Sequence, residues 1–287
     1  MKKTIALLLS VLMLLALAAC GNQNAAPAET DAAAEAEAEA EAPAEEVTLY
    51  VFAAASMTET LDEIIELYKA EAPNVTIVPT YDSSGTLKTQ IQEGADCDLF
   101  ISAAQKQMNQ LDAAKDVEGG NEEGLDFVLS DTRVDLLENK VVLAVPDDNA
   151  AGIKSFEDLG TDKLSLLCIG NEDVPVGAYS EEILNTLGIM DALKAANKLT
   201  YGSNVKEVTT QVKEGTVDAG IIYATDAFSA ELTVVAQAGS DLCRQVIYPA
   251  AVMKNTQNEQ AARDFLAFLQ TDAAMQVFQS VGFAPAP

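Results

Sequence analysis

The chain has 287 residues, a formal charge of −28 at pH 7 and no histidine. So acidic a molecule is a poor partner for nucleic acid or for an anionic membrane surface. Lacking histidine, it also lacks the commonest general base, the commonest transition-metal ligand and the usual partner of a nucleophilic serine or cysteine.

Residues 1–19 open with Met1-Lys2-Lys3 and continue as an apolar run from Ile5 to Ala19, a basic head and short greasy core that read as a secretory signal peptide rather than a membrane span. The run ends in Leu17-Ala18-Ala19-Cys20-Gly21, which resembles the lipobox of bacterial lipoproteins. That resemblance implies cleavage before Cys20, acylation of its thiol and a lipid anchor to the cell membrane on the extracytoplasmic side. With Lys2 and Lys3 gone the charge becomes −30. Residues 20–46 are then a tether: Ala, Glu and Pro dominate, and the alternation from Glu35 to Glu41 puts charge on every face and leaves no apolar stripe to bury.

From Val47 onward about 240 residues remain, enough for one large or two modest cores. Short apolar runs alternate with amphipathic stretches, the pattern of an α/β protein whose mainly parallel sheets are covered by helices. The spacing predicts a strand over Val47–Phe52 and a helix over Met57–Glu71 with Leu61, Ile64, Ile65 and Tyr68 along one face. A strand over Val75–Val78, a helix over Thr86–Gln92, a strand over Asp98–Ile101 and a helix over Ala104–Ala114 follow. Asp116–Gly124, rich in Gly, Glu and Asn, reads as a surface loop. Further strands are predicted over Val141–Val145, Leu164–Ile169, Val217–Tyr223, Leu232–Val235 and Val246–Val252. Helices are predicted over Gly177–Leu187, Val205–Lys213, Glu259–Leu269 and Ala273–Gln279.

Four junctions share one design: a strand ends, small polar residues follow and a helix begins. They are Ala53-Ala54-Ala55-Ser56, Ser83-Ser84-Gly85, Val174-Pro175-Val176-Gly177-Ala178-Tyr179 and Gly202-Ser203-Asn204-Val205. Helix N-termini leave backbone N–H groups unpaired and carry the positive end of the helix dipole, so several of them converging on one crevice hold an anion without Lys or Arg. Each junction also has an ordinary reading. Ser56 with Glu59 three residues on fits a capping box, and Ser83-Ser84-Gly85 fits a plain turn.

Taken in order, these stretches resemble the molybdate-binding proteins of bacterial ABC importers. The residues that carry the likeness are Val51-Phe52-Ala53-Ala54-Ala55-Ser56, Ser83-Ser84-Gly85-Thr86-Leu87 and Gln90-Ile91-Gln92-Glu93-Gly94-Ala95 leading into Asp98-Leu99-Phe100-Ile101-Ser102-Ala103. Val174-Pro175-Val176-Gly177 with Tyr179, Asn204-Val205, Gly220-Ile221-Ile222-Tyr223 with Asp226, Tyr248-Pro249 with Ala251-Val252, and Gly282-Phe283 extend it. The resemblance implies a two-lobed periplasmic-binding-protein fold of type II, with residues 47–138 and 247–287 as lobe one, 139–246 as lobe two, and Asn139–Val145 and Val246–Val252 as crossing strands that form a hinge. It implies that molybdate or tungstate is held by the hydroxyls of Ser56, Ser84 and Tyr223, by the backbone amides of those junctions and by the amides of Val176 and Val205. Ser83 is a further candidate donor, whereas Asp98 is expected to support its strand or a neighbouring helix rather than touch the anion. The only metal expected is the one inside the oxyanion. No cofactor is implied; the partners implied are an ABC permease and its ATPase, and the protein is expected to be a monomer.

A donor-only site suits a fully deprotonated tetrahedral dianion, because hydrogen phosphate would bury an unpaired O–H. Sulfate has the same charge and shape and is the alternative ligand; a sensory lipoprotein is the alternative role. Asp82 beside the second junction is an unexpected carboxylate for an anion site. Ser203-Asn204-Val205-Lys206 matches the Ser-x-x-Lys pattern of penicillin-recognising hydrolases, but the companion Ser-Asp-Asn and Lys-Thr-Gly motifs are missing, so no enzyme activity is expected. Beyond Cys20, Cys97, Cys168 and Cys243 permit at most one internal disulfide, and their spacing does not choose it.

Overall fold

The computed structural model describes residues 45–287. The signal peptide, Cys20 and all but the last two residues of the tether lie outside the described residues.

Two sheets divide the chain. In the first, β1 (Val47–Ala54) lies parallel to β2 (Val75–Asp82) and to β3 (Leu99–Ile101). Alternating side chains serve opposite faces: Leu49, Val51 and Ala53 of β1 face one core, with Leu99 and Ile101 of β3, while Phe52 and Phe100 face another. The helix α1 (Thr58–Glu71) buries Leu61, Ile64, Ile65 and Tyr68 on the first of these faces, the stripe that the three- and four-residue spacing predicts. Each such burial contributes about 1.5–3 kcal/mol. On the other face sit α2 (Ser84–Gln92) and α3 (Gln105–Leu111), through Leu87, Ile91, Met108 and Leu111.

The sheet is completed by β4 (Val134–Asn139), β10 (Val246–Val252) and β11 (Ala284–Pro285), added antiparallel. Between β10 and β4 the register shifts at Tyr248/Pro249, where proline brings no N–H to the ladder. The C-terminal helices α8 (Glu259–Phe268) and α9 (Asp272–Ser280) close the first core, Phe265 and Phe268 packing on Tyr68 with centroids 4.9 and 5.0 Å apart.

The second sheet runs β7-β6-β8-β5-β9, built from β5 (Val141–Val145), β6 (Leu167–Gly170), β7 (Leu199–Gly202), β8 (Ala219–Tyr223) and β9 (Thr233–Gln237). Here β6 pairs parallel with β7 and β8, while β5 runs antiparallel to β8 and β9. Its helices are α4 (Pro175–Thr186), α5 (Met190–Ala195), α6 (Val205–Lys213) and α7 (Ala224–Ser229). The class is thus α/β with two helix-flanked sheets, each of them mixed: the parallel strands feed the junctions, and the antiparallel ones lie where the chain passes between sheets.

That passage differs in detail from the expected pair of crossing strands. The first crossing is a single residue, Lys140, between β4 and β5. The strand Val246–Val252 belongs wholly to the first sheet, beginning where Val246 pairs with Asn139. Cys97, Cys168 and Cys243 are all buried and free. Burial raises each thiol, to about 12 for Cys168 and about 11 for Cys243, which keeps them protonated and unreactive.

Candidate functional site

Four helix starts and one strand end meet between the sheets. Ser56, Ser84, Val205 and Tyr223 line one cavity of about 10 Å³, together with Ala54, Ala55, Asp82, Ser83, Ala103, Val174 and Pro175. This volume is far below the range of organic-ligand pockets, about 300–1,000 Å³, and near the minimum for a single water. No lysine or arginine is among the residues that line it. Val176 does not line the cavity; its side chain is fully buried, one position inside α4 from Pro175. Its N–H, in the first turn of α4, has no hydrogen-bond acceptor among the described residues, and the same holds for Val205 N–H at the start of α6.

The hydroxyls are differently placed. Ser84 Oγ accepts from Ala103 N at 2.9 Å, which leaves its own proton free. Ser56 Oγ lies 2.8 Å from the hydroxyl of Tyr248, a fully buried side chain on β10. Ser56 does not cap α1: it sits in a short 3₁₀ turn over Ala55–Met57, and the N-cap of α1 is Met57, with no side-chain hydrogen bond. The capping box is therefore absent, because Tyr248 engages the serine and Glu59 is drawn elsewhere. Ser83, by contrast, is the N-cap of α2, its Oγ accepting from Thr86 N at 3.1 Å.

Tyr223 ends β8 and precedes α7, its ring held edge-on between Tyr179 and Tyr248 at 6.4 and 5.8 Å. Its hydroxyl is buried without a hydrogen-bond partner among the described residues. Such an orphan costs about 1–3 kcal/mol, a debt that an acceptor in the cavity would cancel.

Next to the lining residues Ser84 and Val174 the two halves touch directly. Gly85 N donates to Asp173 O at 3.0 Å, and a Cβ on Gly85 would meet that same oxygen at 2.3 Å, so only glycine fits the contact as it stands. Asp82 Oδ1 accepts from Ser83 N at 2.7 Å and from Asn204 Nδ2 at 3.3 Å. The unexpected carboxylate thus lines the cavity with one oxygen bound by donors from both sides. Lys206 of α6 reaches Glu59 of α1, with Nζ 2.8 and 2.7 Å from its two carboxylate oxygens.

Lys206 Nζ is also 3.2 Å from Oδ1 of Asp226, but misaligned for a hydrogen bond, so both Asp226 oxygens remain without a hydrogen-bond partner. Burial pushes the Asp226 carboxyl up to about 6 against the pull of Lys206. Burial would lower Lys206, yet the carboxylates of Asp226 and Glu59 outweigh it and raise the ammonium above its usual range. An ammonium so held cannot act as the base for Ser203, which removes the mechanism suggested by Ser-x-x-Lys. Asp98, just before β3, ties it to its surroundings, Oδ2 accepting from Tyr50 N of β1 at 2.7 Å and Oδ1 from Thr256 beyond β10.

Asn139, Lys206, Asp226 and Tyr248 are the polar residues around the site that the sequence did not assign to it. Their partners are remote: Ser56 and Tyr248 are 192 residues apart, Lys206 and Glu59 147. The Tyr248-Pro249 and Asp226 motifs were the only signals.

Residues 49–284 match the family model described as bacterial extracellular solute-binding protein. The chain is 37% identical over 242 residues to YvgL of Bacillus subtilis, provisionally described as an ABC transporter substrate-binding lipoprotein, covering 83% of this chain and 87% of that one. It is 34% identical over 239 residues to the molybdate-binding protein ModA of Haemophilus influenzae, covering 82% and 89%. The periplasmic molybdate-binding protein of Azotobacter vinelandii has the same fold, with a TM-score of 0.71 at 21% identity over 83% of this chain and all of that one. These relatives are solute-binding proteins and not enzymes. Among the described residues no helix is long and apolar enough to cross a membrane. With two helix-flanked sheets enclosing a small cavity, and with matches that span most of its length, the chain belongs to the bacterial extracellular solute-binding protein family, which includes the molybdate-binding proteins of ABC importers that it resembles.

Proposed function

We propose that the protein captures a fully deprotonated tetrahedral oxyanion, molybdate first and tungstate next, outside the cytoplasm and delivers it to an ABC permease and its ATPase. The observation that carries this reading is the Tyr223 hydroxyl, buried and unpartnered at the wall of a cavity that no cationic side chain lines. An anionic oxygen there would accept from Tyr223, from the free protons of Ser84 and Ser56, and from the amide of Val205, with the unpaired Val176 amide one residue behind the lining Pro175 as a further donor. All are neutral donors, so the dianion is held by local dipoles even though the whole chain is strongly acidic; at physiological salt the overall field is screened over about 8 Å.

In this reading the two sheets are the cores of two lobes, residues 47–138 with 247–287 and residues 139–246, and the anion bridges them. Ser56 and Ser84 belong to one lobe and Val176, Val205 and Tyr223 to the other, so the ligand stabilises the closed form by binding it better than the open one. The closed shape is what the permease would recognise, with Cys20 as the lipid-bearing residue that keeps the protein beside it.

Isothermal titration against molybdate, tungstate, sulfate and phosphate is the test. Tight binding of the first two and weak binding of the others is expected, with a stabilisation of about 4 kcal/mol at a thousandfold excess of ligand over its dissociation constant. Sulfate binding as tightly as molybdate would reassign the substrate. Failure to bind any of the four would overturn the reading.

A further inference from the structure

The side chain of Asn139 lies at the crossing between the sheets, and its orientation is fixed by its own neighbour: Lys140 N donates to Asn139 Oδ1 at 2.8 Å. A flipped amide would set its NH₂ against that N–H, so the nitrogen must face the other way. There Asn139 Nδ2 donates to Tyr248 OH at 3.2 Å and to Thr225 Oγ1 at 3.0 Å. Tyr248 is fully buried, wedged edge-on against Tyr223 and Phe283 with centroids at 5.8 and 5.3 Å.

With Asn139 donating to its oxygen, the Tyr248 proton has one acceptor in hydrogen-bond geometry among the described residues, Ser56 Oγ at 2.8 Å; the nearby Tyr223 hydroxyl is outside it. The opposite arrangement, Ser56 donating to Tyr248, would leave the phenol proton facing only the Tyr223 hydroxyl, outside hydrogen-bond geometry, and so unsatisfied in the core. The hydrogen bonds therefore run in one direction, Asn139 to Tyr248 to Ser56. The Ser56 proton, with its partner oxygen already acting as donor, has only the cavity to point into.

We propose that Asn139 is a specificity-determining positioning residue: by donating to Tyr248 it fixes the direction of a relay that makes Ser56 a committed donor, so the position facing Ser56 rejects an anion oxygen that carries a proton. This rests on the oxyanion reading above and extends it to a residue that does not line the cavity. It separates molybdate from hydrogen phosphate, which has the same charge but brings an O–H that needs an acceptor. It does not separate molybdate from sulfate, which carries no proton.

The test is Asn139→Asp, assayed by titration with molybdate and with phosphate at about pH 8, where phosphate is mainly the monoprotonated dianion and a carboxylate of ordinary pKa is ionised. A carboxylate at 139 still accepts from Lys140 N but also accepts from Tyr248, reversing the relay so that Ser56 donates inward and offers its oxygen to the ligand. The added charge weakens both dianions alike; the reversal does not. The ratio of molybdate to hydrogen phosphate affinity is expected to narrow about 10- to 100-fold.

In Tyr248→Phe, which removes the hydroxyl that commits Ser56, the freed serine can accept as well as donate, so the ratio should narrow there too, without the added charge of N139D. Equal weakening of both anions in N139D, or no change in either, overturns the proposal. Should N139D fail to fold, Ser56→Ala decides instead: loss of a committed donor costs molybdate more than hydrogen phosphate and narrows the ratio, and an unchanged ratio sinks the idea. Wild-type protein that binds no oxyanion overturns the parent reading; wild type that binds molybdate, with N139D keeping the ratio, overturns this inference alone.

Discussion

The two walls of the cavity differ in how far their polar groups are already matched. On the first-sheet side, Ser84 Oγ accepts from Ala103 N, Ser56 Oγ is joined to Tyr248 and Ser83 caps a helix. On the second-sheet side, the Tyr223 hydroxyl and both Asp226 oxygens are buried without hydrogen bonds. One wall is pre-set by the fold, and the other carries polar groups at a cost to stability. Strained or unmatched polarity of this kind is tolerated at functional sites, where a ligand removes it. Asp226 is not a donor to an anion; its unmatched state holds the ammonium that spans to Glu59.

The largest effect should come from the least matched group. Asp226 titrates at about 6 in the folded protein against an ordinary value of 3.8, so between these values the folded chain binds a proton that the unfolded chain does not. Its contribution to stability is full below the lower value and is lost as pH rises through the upper one, by roughly 3 kcal/mol. Denaturant unfolding from pH 4 to 7 should show Asp226→Asn gaining on wild type by about that amount across the window. Parallel profiles would mean that Asp226 is matched after all.

Next comes Gly85→Ala, which bears on the seam where the walls meet. Alanine suits the helix, but its Cβ meets Asp173 O at 2.3 Å only while the sheets are in contact. Ligand-free melting should stay near wild type while molybdate affinity falls about 10- to 100-fold, the range of an overpacked contact. A variant that binds as tightly as wild type would show the seam to be irrelevant to capture.

Tyr223→Phe should act in two opposed directions: the ligand-free protein gains about 1 kcal/mol as the orphan hydroxyl disappears, and molybdate affinity drops about tenfold. Loss of both stability and affinity would place Tyr223 with the pre-set wall. Smallest is Glu59→Gln, which removes an exposed partner of Lys206; a two- to threefold loss of affinity, fading with added salt, is expected of a half-exposed ion pair, at about 0.2–1 kcal/mol.

Much of the architecture was legible because it is local. The α1 stripe and the buried runs at Val141–Val145 and Val246–Val252 show in spacing alone, since strands covered on both faces read as continuous apolar stretches. β4 and β7 were missed as strands. Val134-Asp135-Leu136-Leu137-Glu138-Asn139 sets an exposed Asp135 and a partly buried Glu138 beside buried leucines, and only Gly202 of β7 is buried. The short helices α5 and α7, six residues each, have too few turns to show a period.

The four junctions could be read for their amides, because a helix start is a local event. The route by which Ser56 is oriented could not be, since Asn139 and Tyr248 are 109 residues apart in the chain and meet only through the antiparallel return of β10. The capping-box reading failed for the same reason: Glu59 answers to Lys206, a charge from the other sheet, instead of to its own helix.

The one-residue step at Lys140 constrains any motion between the sheets. Strands joined by so short a pin cannot slide apart by more than a few ångströms, about 3.3–3.6 Å of chain per residue, so separation has to be a swing. Displacement in a swing grows with the lever arm: labels near Val141 would register almost nothing, while labels on the outer turns of α2 and α4 would register most. The cavity, lying close to the pin, would then need only a small angular change to admit or release an ion.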